Sequence, residues 1–150
     1  MSKQSEFIEA LVPLAQAEYT ERNTILPSVC VAQAALESGW NLQAKTMFGI
    51  KGNGQALMTK EYINGKYEVV TASFRSYPNL AASVDGYYDF MQNNRRYSYA
   101  ISLKDPYSQI QAIARAGYAT APNYASGYSD LRRSLPAAAY VYPASPSSRF

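Results

Sequence analysis

Glu37 closes the run Pro27-Ser-Val-Cys-Val-Ala-Gln-Ala-Ala-Leu-Glu-Ser38, which Gly39 follows. The run is apolar nearly all round, so as a helix it belongs in the interior, and a charged residue in its last turn stands out. Burial disfavours an ionised carboxylate, and so does the partial negative charge at a helix C-terminus. Both raise the pKa. A carboxylic acid that keeps its proton near neutral pH can hand it to a leaving oxygen, as cleavage of a glycosidic bond requires. The alternative is a Glu that reaches solvent past the helix end, or pairs with Lys45 or Arg75.

Two further carboxylates sit around Asn64-Gly65, the favoured two-residue turn between β-rich arms running from Leu57 to Arg75. A turn that tight sets Ile63 against Lys66, Tyr62 against Tyr67 and Glu61 against Glu68. Like charges directly opposite cost a few tenths to ~1 kcal/mol, so the placement invites a reason. One reason is a carboxylate projecting into a cleft as base or nucleophile; the plainer one is a solvated face neutralised by Lys60 and Lys66.

The 150-residue chain has no histidine and one cysteine, which removes Ser-His-Asp and Cys-His catalysis, zincin helices and Cys/His zinc clusters. No metal or cofactor is expected. Acid and base must come from carboxylates, Tyr, Lys or the substrate. Tyrosine is abundant, at 14 residues, and offers a flat apolar face with a polar tip. Trp40, Phe48, Tyr97, Tyr118 and Tyr124 are the aromatic residues placed to line a groove by stacking on sugar rings. Tyr118 stands out because it lies in the loop Gly117-Tyr-Ala-Thr-Ala-Pro122 between two helices. Cys30, inside the apolar helix, reads as an inert buried thiol. The glycines at 49, 52 and 54 mark a loop but lack the spacing of a phosphate-binding one.

A net charge of +3 without any run of five or six basic residues leaves little footprint for nucleic acid. No stretch is long and apolar enough for membrane insertion, and the polar start Met-Ser-Lys-Gln-Ser-Glu has no signal-peptide core behind it.

These residues need elements to hold them. Phe7, Ile8, Leu11, Val12 and Ala15 predict a first helix from about Ser5, its cap, to Tyr19, kinked at Pro13. Pro27 opens the second helix and Gly39 ends it. After the loop and hairpin, Asn79 caps a helix carrying Leu80, Val84, Tyr87, Tyr88 and Met91 on one face. Asp105-Pro106 starts another that stops at Gly117, and Pro122 begins the last, with Tyr124, Tyr128, Leu131 and Leu135 in one stripe. The class is α+β, mainly α: one helical domain over 1–135 with a short β-hairpin, then a Pro/Ala/Ser-rich tail over 136–150.

Ala32-Gln-Ala-Ala-Leu-Glu-Ser-Gly-Trp40, Phe48-Gly-Ile-Lys-Gly52, Glu61-Tyr-Ile-Asn-Gly65, Phe74-Arg-Ser-Tyr77 and Ala116-Gly-Tyr-Ala-Thr120 resemble, in order, the blocks of glycoside hydrolase family 73. Those are peptidoglycan β-N-acetylglucosaminidases with a lysozyme-like fold. The chain departs from the family pattern at Asn41, at Lys45-Thr-Met47 and at Ala121, where an Asp is usual. The resemblance implies that Glu37 is the general acid, that Tyr118 is the functional Tyr of its block, and that Glu61 holds the position where some members place a second carboxylate, with Glu68 its competitor from the hairpin register. It implies peptidoglycan glycan strands as substrate. It is also similar to small type VI secretion effectors, exported without an N-terminal signal peptide to the periplasm of a target cell, whose producers carry an immunity protein that occludes the cleft. A phage endolysin, a lytic transglycosylase and a non-catalytic peptidoglycan-binding module are the alternatives.

Overall fold

The computed structural model describes residues 2–119, 124–133 and 135. Its centre is the apolar run of the second helix. Helix α1 spans Lys3–Arg22 and α2 spans Pro27–Ser38. On α2 every residue from Pro27 to Ala35 is buried. Helix α1 covers it with Phe7, Ile8, Leu11, Val12 and Ala15, the spacing expected of one apolar stripe.

Helix α1 is longer than its sequence pattern suggested. Its cap is Ser2, whose side chain accepts the Ser5 N–H at 3.1 Å, so Ser5 lies inside the helix. The far end is extended to Arg22, whose guanidinium meets Glu18 at 2.6 Å and Asp85 and Asp89 at 2.7 Å each. Pro13 is accommodated within this single helix.

Strands β1 (Gly54–Ile63) and β2 (Lys66–Arg75) pair antiparallel in the expected register: Glu61 faces Glu68, Tyr62 faces Tyr67 and Ile63 faces Lys66. Asn64 and Gly65 both have positive φ, 52° and 82°, as a tight two-residue turn demands. Gln55, Leu57, Thr59 and Glu61 alternate toward the body, and Phe74 anchors the same face at 5% exposure.

Helix α3 (Leu80–Asn93) is capped by Asn79, whose side chain accepts the Ala82 N–H at 2.8 Å. A 3-10 turn at Arg95–Tyr97 and a short helix α4 (Ser98–Ser102) follow. Sequence periodicity did not reveal them, being too brief to repeat a 3.6-residue pattern. Helix α5 is Pro106–Arg115, capped by Asp105, and α6 is Tyr124–Arg132. The expected start of the last helix at Pro122 and the tail over 136–150 lie outside the described residues.

What fixes the start of α2 is a side chain from elsewhere. Leu26 has no side-chain cap. Its N–H donates instead to Gln109 Oε1 of α5 at 2.8 Å, while Gln109 Nε2 donates to the carbonyls of Thr24 (3.0 Å) and Ala100 (3.1 Å). Gln109 is fully buried. Gln109→Leu should cost about 2–3 kcal/mol, because several buried backbone groups lose their partner together. Urea unfolding checks this; a loss below half a kcal/mol would mean the backbone groups find other partners.

Candidate active site

The C-terminal end of α2, the loop 46–51, the inner face of the hairpin, the turn at Arg96 and Tyr97, Gly117–Ala119 and α6 enclose a cleft of about 550 Å³. That is the size of an ordinary small-ligand site. Among the residues expected to act, Glu37, Glu61, Tyr97, Tyr118 and Tyr124 line it together.

Glu37 stands at its floor because α2 is central and ends there. Gly39, at φ 65°, stops the helix one residue after Ser38, and its N–H closes on the Ala35 carbonyl at 2.9 Å. The Glu37 side chain then runs against the backbone of Gly49. A Cβ built on Gly49 would sit 2.6 Å from Glu37 Oε2, and Gly49 has φ 64°. Only glycine satisfies both demands. The Tyr124 hydroxyl hydrogen-bonds the carboxyl.

Burial pushes the Glu37 pKa up to about 7; the Tyr124 hydrogen bond opposes this and the Glu61 charge adds to it. The pairing with Lys45 or Arg75 does not form: Lys45 is exposed, and the Arg75 guanidinium lies 5.6 Å from the Phe90 ring centroid.

Glu61 points into the cleft from β1, 17% exposed, and pairs with Lys51 Nζ at 2.9 Å. Lys51, from the loop after Gly49, therefore does what Lys60 and Lys66 were expected to do. Glu68 is on the same face but further out, exposed, and absent from the described cleft wall. The register brings the two carboxylates opposite each other, yet only Glu61, on β1, lines the cleft, while Glu68 on β2 stays exposed.

The aromatic residues divide. Tyr118 donates its hydroxyl to the Phe48 carbonyl at 2.6 Å and stacks on Tyr124 at 6.2 Å and 28°. Tyr97 presents a buried ring beneath Arg96, whose guanidinium lies 5.1 Å from its centroid. Phe48 is 2% exposed and stacks on Tyr87 at 4.2 Å, so its ring has no face left for a sugar; its carbonyl is what meets the site. Trp40 packs its ring against Phe7 at 5.5 Å and is not part of the described cleft wall. Among the described residues no group of three His, Cys, Asp or Glu could hold a metal.

The glucosaminidase family model, mannosyl-glycoprotein endo-β-N-acetylglucosaminidase, matches residues 12–135. The chain belongs to this family, glycoside hydrolase family 73. It is 36% identical to the peptidoglycan hydrolase FlgJ of Pseudomonas aeruginosa over 146 residues, covering 87% of this chain and 36% of that one. It is 32% identical to the exo-glucosaminidase LytG of Bacillus subtilis over 145 residues, covering 87% and 51%. The chain thus spans a third to a half of these relatives. Among solved structures, a peptidoglycan hydrolase mutant from Sphingomonas sp. A1 superposes with TM-score 0.74 at 29% identity, over 87% of this chain and 92% of that one. The glycoside hydrolase domain of Salmonella typhimurium FlgJ, C-terminally truncated, gives TM-score 0.67 at 28% identity, over 91% and 99%. The fold is lysozyme-like.

Sequence reading missed Gln33, Gly49, Lys51 and Arg96. A signal for Gln33 was present: it is the polar side chain one turn before Glu37 on a helix otherwise apolar. Gly49 and Lys51 owe their roles to a loop conformation that spacing does not encode.

The raised pKa is also a stability statement. A folded-state pKa raised from 4.5 to about 7 means the fold favours protonated Glu37; its contribution is full below about 4.5 and is lost as pH rises through about 7. Glu37→Gln, neutral at every pH, should match the parent near pH 4 and exceed it by about 2 kcal/mol at pH 8, after allowance for partial solvent access. Urea midpoints at the two pH values read this out, and parallel curves would show an ordinary exposed carboxylate.

Proposed function

We propose that this domain hydrolyses the β-1,4 bond between N-acetylglucosamine and N-acetylmuramic acid in peptidoglycan. The carrying observation is a single carboxyl, Glu37, held at the cleft floor with its pKa near 7. Protonated, it delivers its proton to the glycosidic oxygen while positive charge grows at the anomeric carbon. Glu61, paired with Lys51 Nζ at 2.9 Å, serves as the base that activates water. The competing route is assistance by the substrate's own acetamide, which needs no second carboxylate. Tyr118 meets the acetamide with its ring, and its hydroxyl holds the Phe48 carbonyl, keeping Gly49 against Glu37. Tyr97 and Tyr124 complete the wall.

Glu37→Gln should abolish release of reducing N-acetylglucosamine ends from purified peptidoglycan while the fold persists; more than a tenth of the parent rate sinks the assignment. Mass spectrometry separates the rivals, since anhydro-muramyl ends would mean a transglycosylase and no products a binding module. In the parent, kcat should fall as pH rises through about 7 as the acid is lost. Glu61→Gln should slow turnover by about a hundredfold or more, in the range for loss of a positioned base, and Glu68→Gln should not. Parent-like rates in both would select the acetamide route.

The setting we infer is that of an effector acting in the periplasm of a rival cell, with an immunity protein seated in the cleft. Its support is that relatives of this chain include peptidoglycan hydrolases, the kind of activity such an effector would need. Killing on periplasmic expression, relieved by a tightly bound cognate neighbour, tests it; killing with no such neighbour favours an endolysin.

A further inference from the structure

A chain of buried hydrogen bonds runs behind the acid. The Tyr87 hydroxyl donates to Gln33 Oε1, Gln33 Nε2 donates to the Tyr124 hydroxyl oxygen at 3.0 Å, and Tyr124 hydrogen-bonds Glu37. Tyr87 and Gln33 are fully buried and Tyr124 is 8% exposed, so solvent offers these groups no substitute. Direction follows from the inventory of donors. An ionised carboxylate only accepts, so Tyr124 must donate to it; the amide N–H₂ only donates, so the Tyr124 oxygen accepts from Gln33; that leaves Gln33 Oε1 facing Tyr87, which donates. Each link is spent once, and the polarity runs one way, toward Glu37.

We propose that Gln33 is a positioning residue for the acid: it turns the Tyr124 hydroxyl outward onto one oxygen of Glu37 and so leaves the catalytic proton on the other. This rests on the reading of Glu37 as general acid. With Gln33 N–H₂ pressed against the Tyr124 oxygen, a protonated Glu37 is discouraged from spending its own O–H on Tyr124. Without Gln33, Tyr124 is free to rotate and accept that proton, turning the acid away from the cleft. The same chain tempers the effect of burial, since a hydrogen bond donated to the carboxylate favours its ionised form. Gln33 sits four residues before Glu37 on α2, so one helix presents both groups on one side.

The test uses the whole chain and soluble peptidoglycan fragments as substrate. Gln33→Met, similar in length and apolar, should lower kcat about tenfold, the worth of one well-placed hydrogen bond, with KM changed less than about twofold. The alkaline limb of the kcat profile should move up by about half a unit, because the ionised acid has lost support. Tyr124→Phe should do the same, and the double variant should be no slower than Tyr124→Phe alone, since Gln33 acts through Tyr124. Tyr87→Phe removes one oxygen and frees the amide to flip; it should move the limb in the same direction, and it carries the test if Gln33→Met fails to fold. An unmoved limb in folded variants, or losses that multiply in the double variant, overturn the proposal. Glu37→Gln is run alongside: if it stays active the acid assignment fails, whereas an inactive Glu37→Gln with parent-like Gln33→Met and Tyr87→Phe refutes the relay alone.

Discussion

The structure depends on one costly placement, a carboxyl held at the end of a buried helix with no ion-pair partner among the described residues. Three features make that placement tenable. Gly49 lets the loop backbone come within contact of Glu37 Oε2, Tyr124 supplies a hydrogen bond, and the proton itself removes the charge that burial would penalise. Helix α2 must be central for this to happen, and it is held centrally by α1 along its length and by Gln109 at its start. Much of the fold is the apparatus that keeps one acid dry enough to stay protonated.

The hairpin supplies the contrast. Glu61 faces the same cleft, but Lys51 Nζ lies 2.9 Å from its carboxylate. Two carboxyl groups in one site thus stand in different surroundings, one buried and one beside a cation, a division of labour suited to acid and base. Glu61 in turn raises Glu37, so the groups are not independent. Loop 46–51 connects them physically: its Gly49 backs the acid, its Lys51 pairs the base, and its Phe48 carbonyl is gripped by Tyr118.

Local rules made most of the fold legible. Pro27 and Gly39 bracket α2, Asn64-Gly65 sets the hairpin register, and Asn79 and Asp105 cap their helices, because each of these signals acts over a few residues. Glu37 was legible for a related reason: a charge on an otherwise apolar helix needs an explanation wherever that helix lies. What could not be read came from distance in sequence. Phe48 looked available for stacking until Tyr87, far along the chain, covered its ring. Glu68 looked equivalent to Glu61 because register alone does not say which of two paired strands borders the cleft. The relay through Gln33 joins α2, α3 and α6, and only their packing brings its members together. The blocks resembling family 73 supplied the order of these pieces, while the geometry assigned them contacts.

The account stands or falls on the protonation of Glu37. NMR titration of the protein with ¹³C-labelled glutamate side chains, with Glu37→Gln to assign the signal, measures it directly. The expected result is one carboxyl that titrates near pH 7 and vanishes in the variant. A Glu37 signal that titrates below pH 5 would contradict the account.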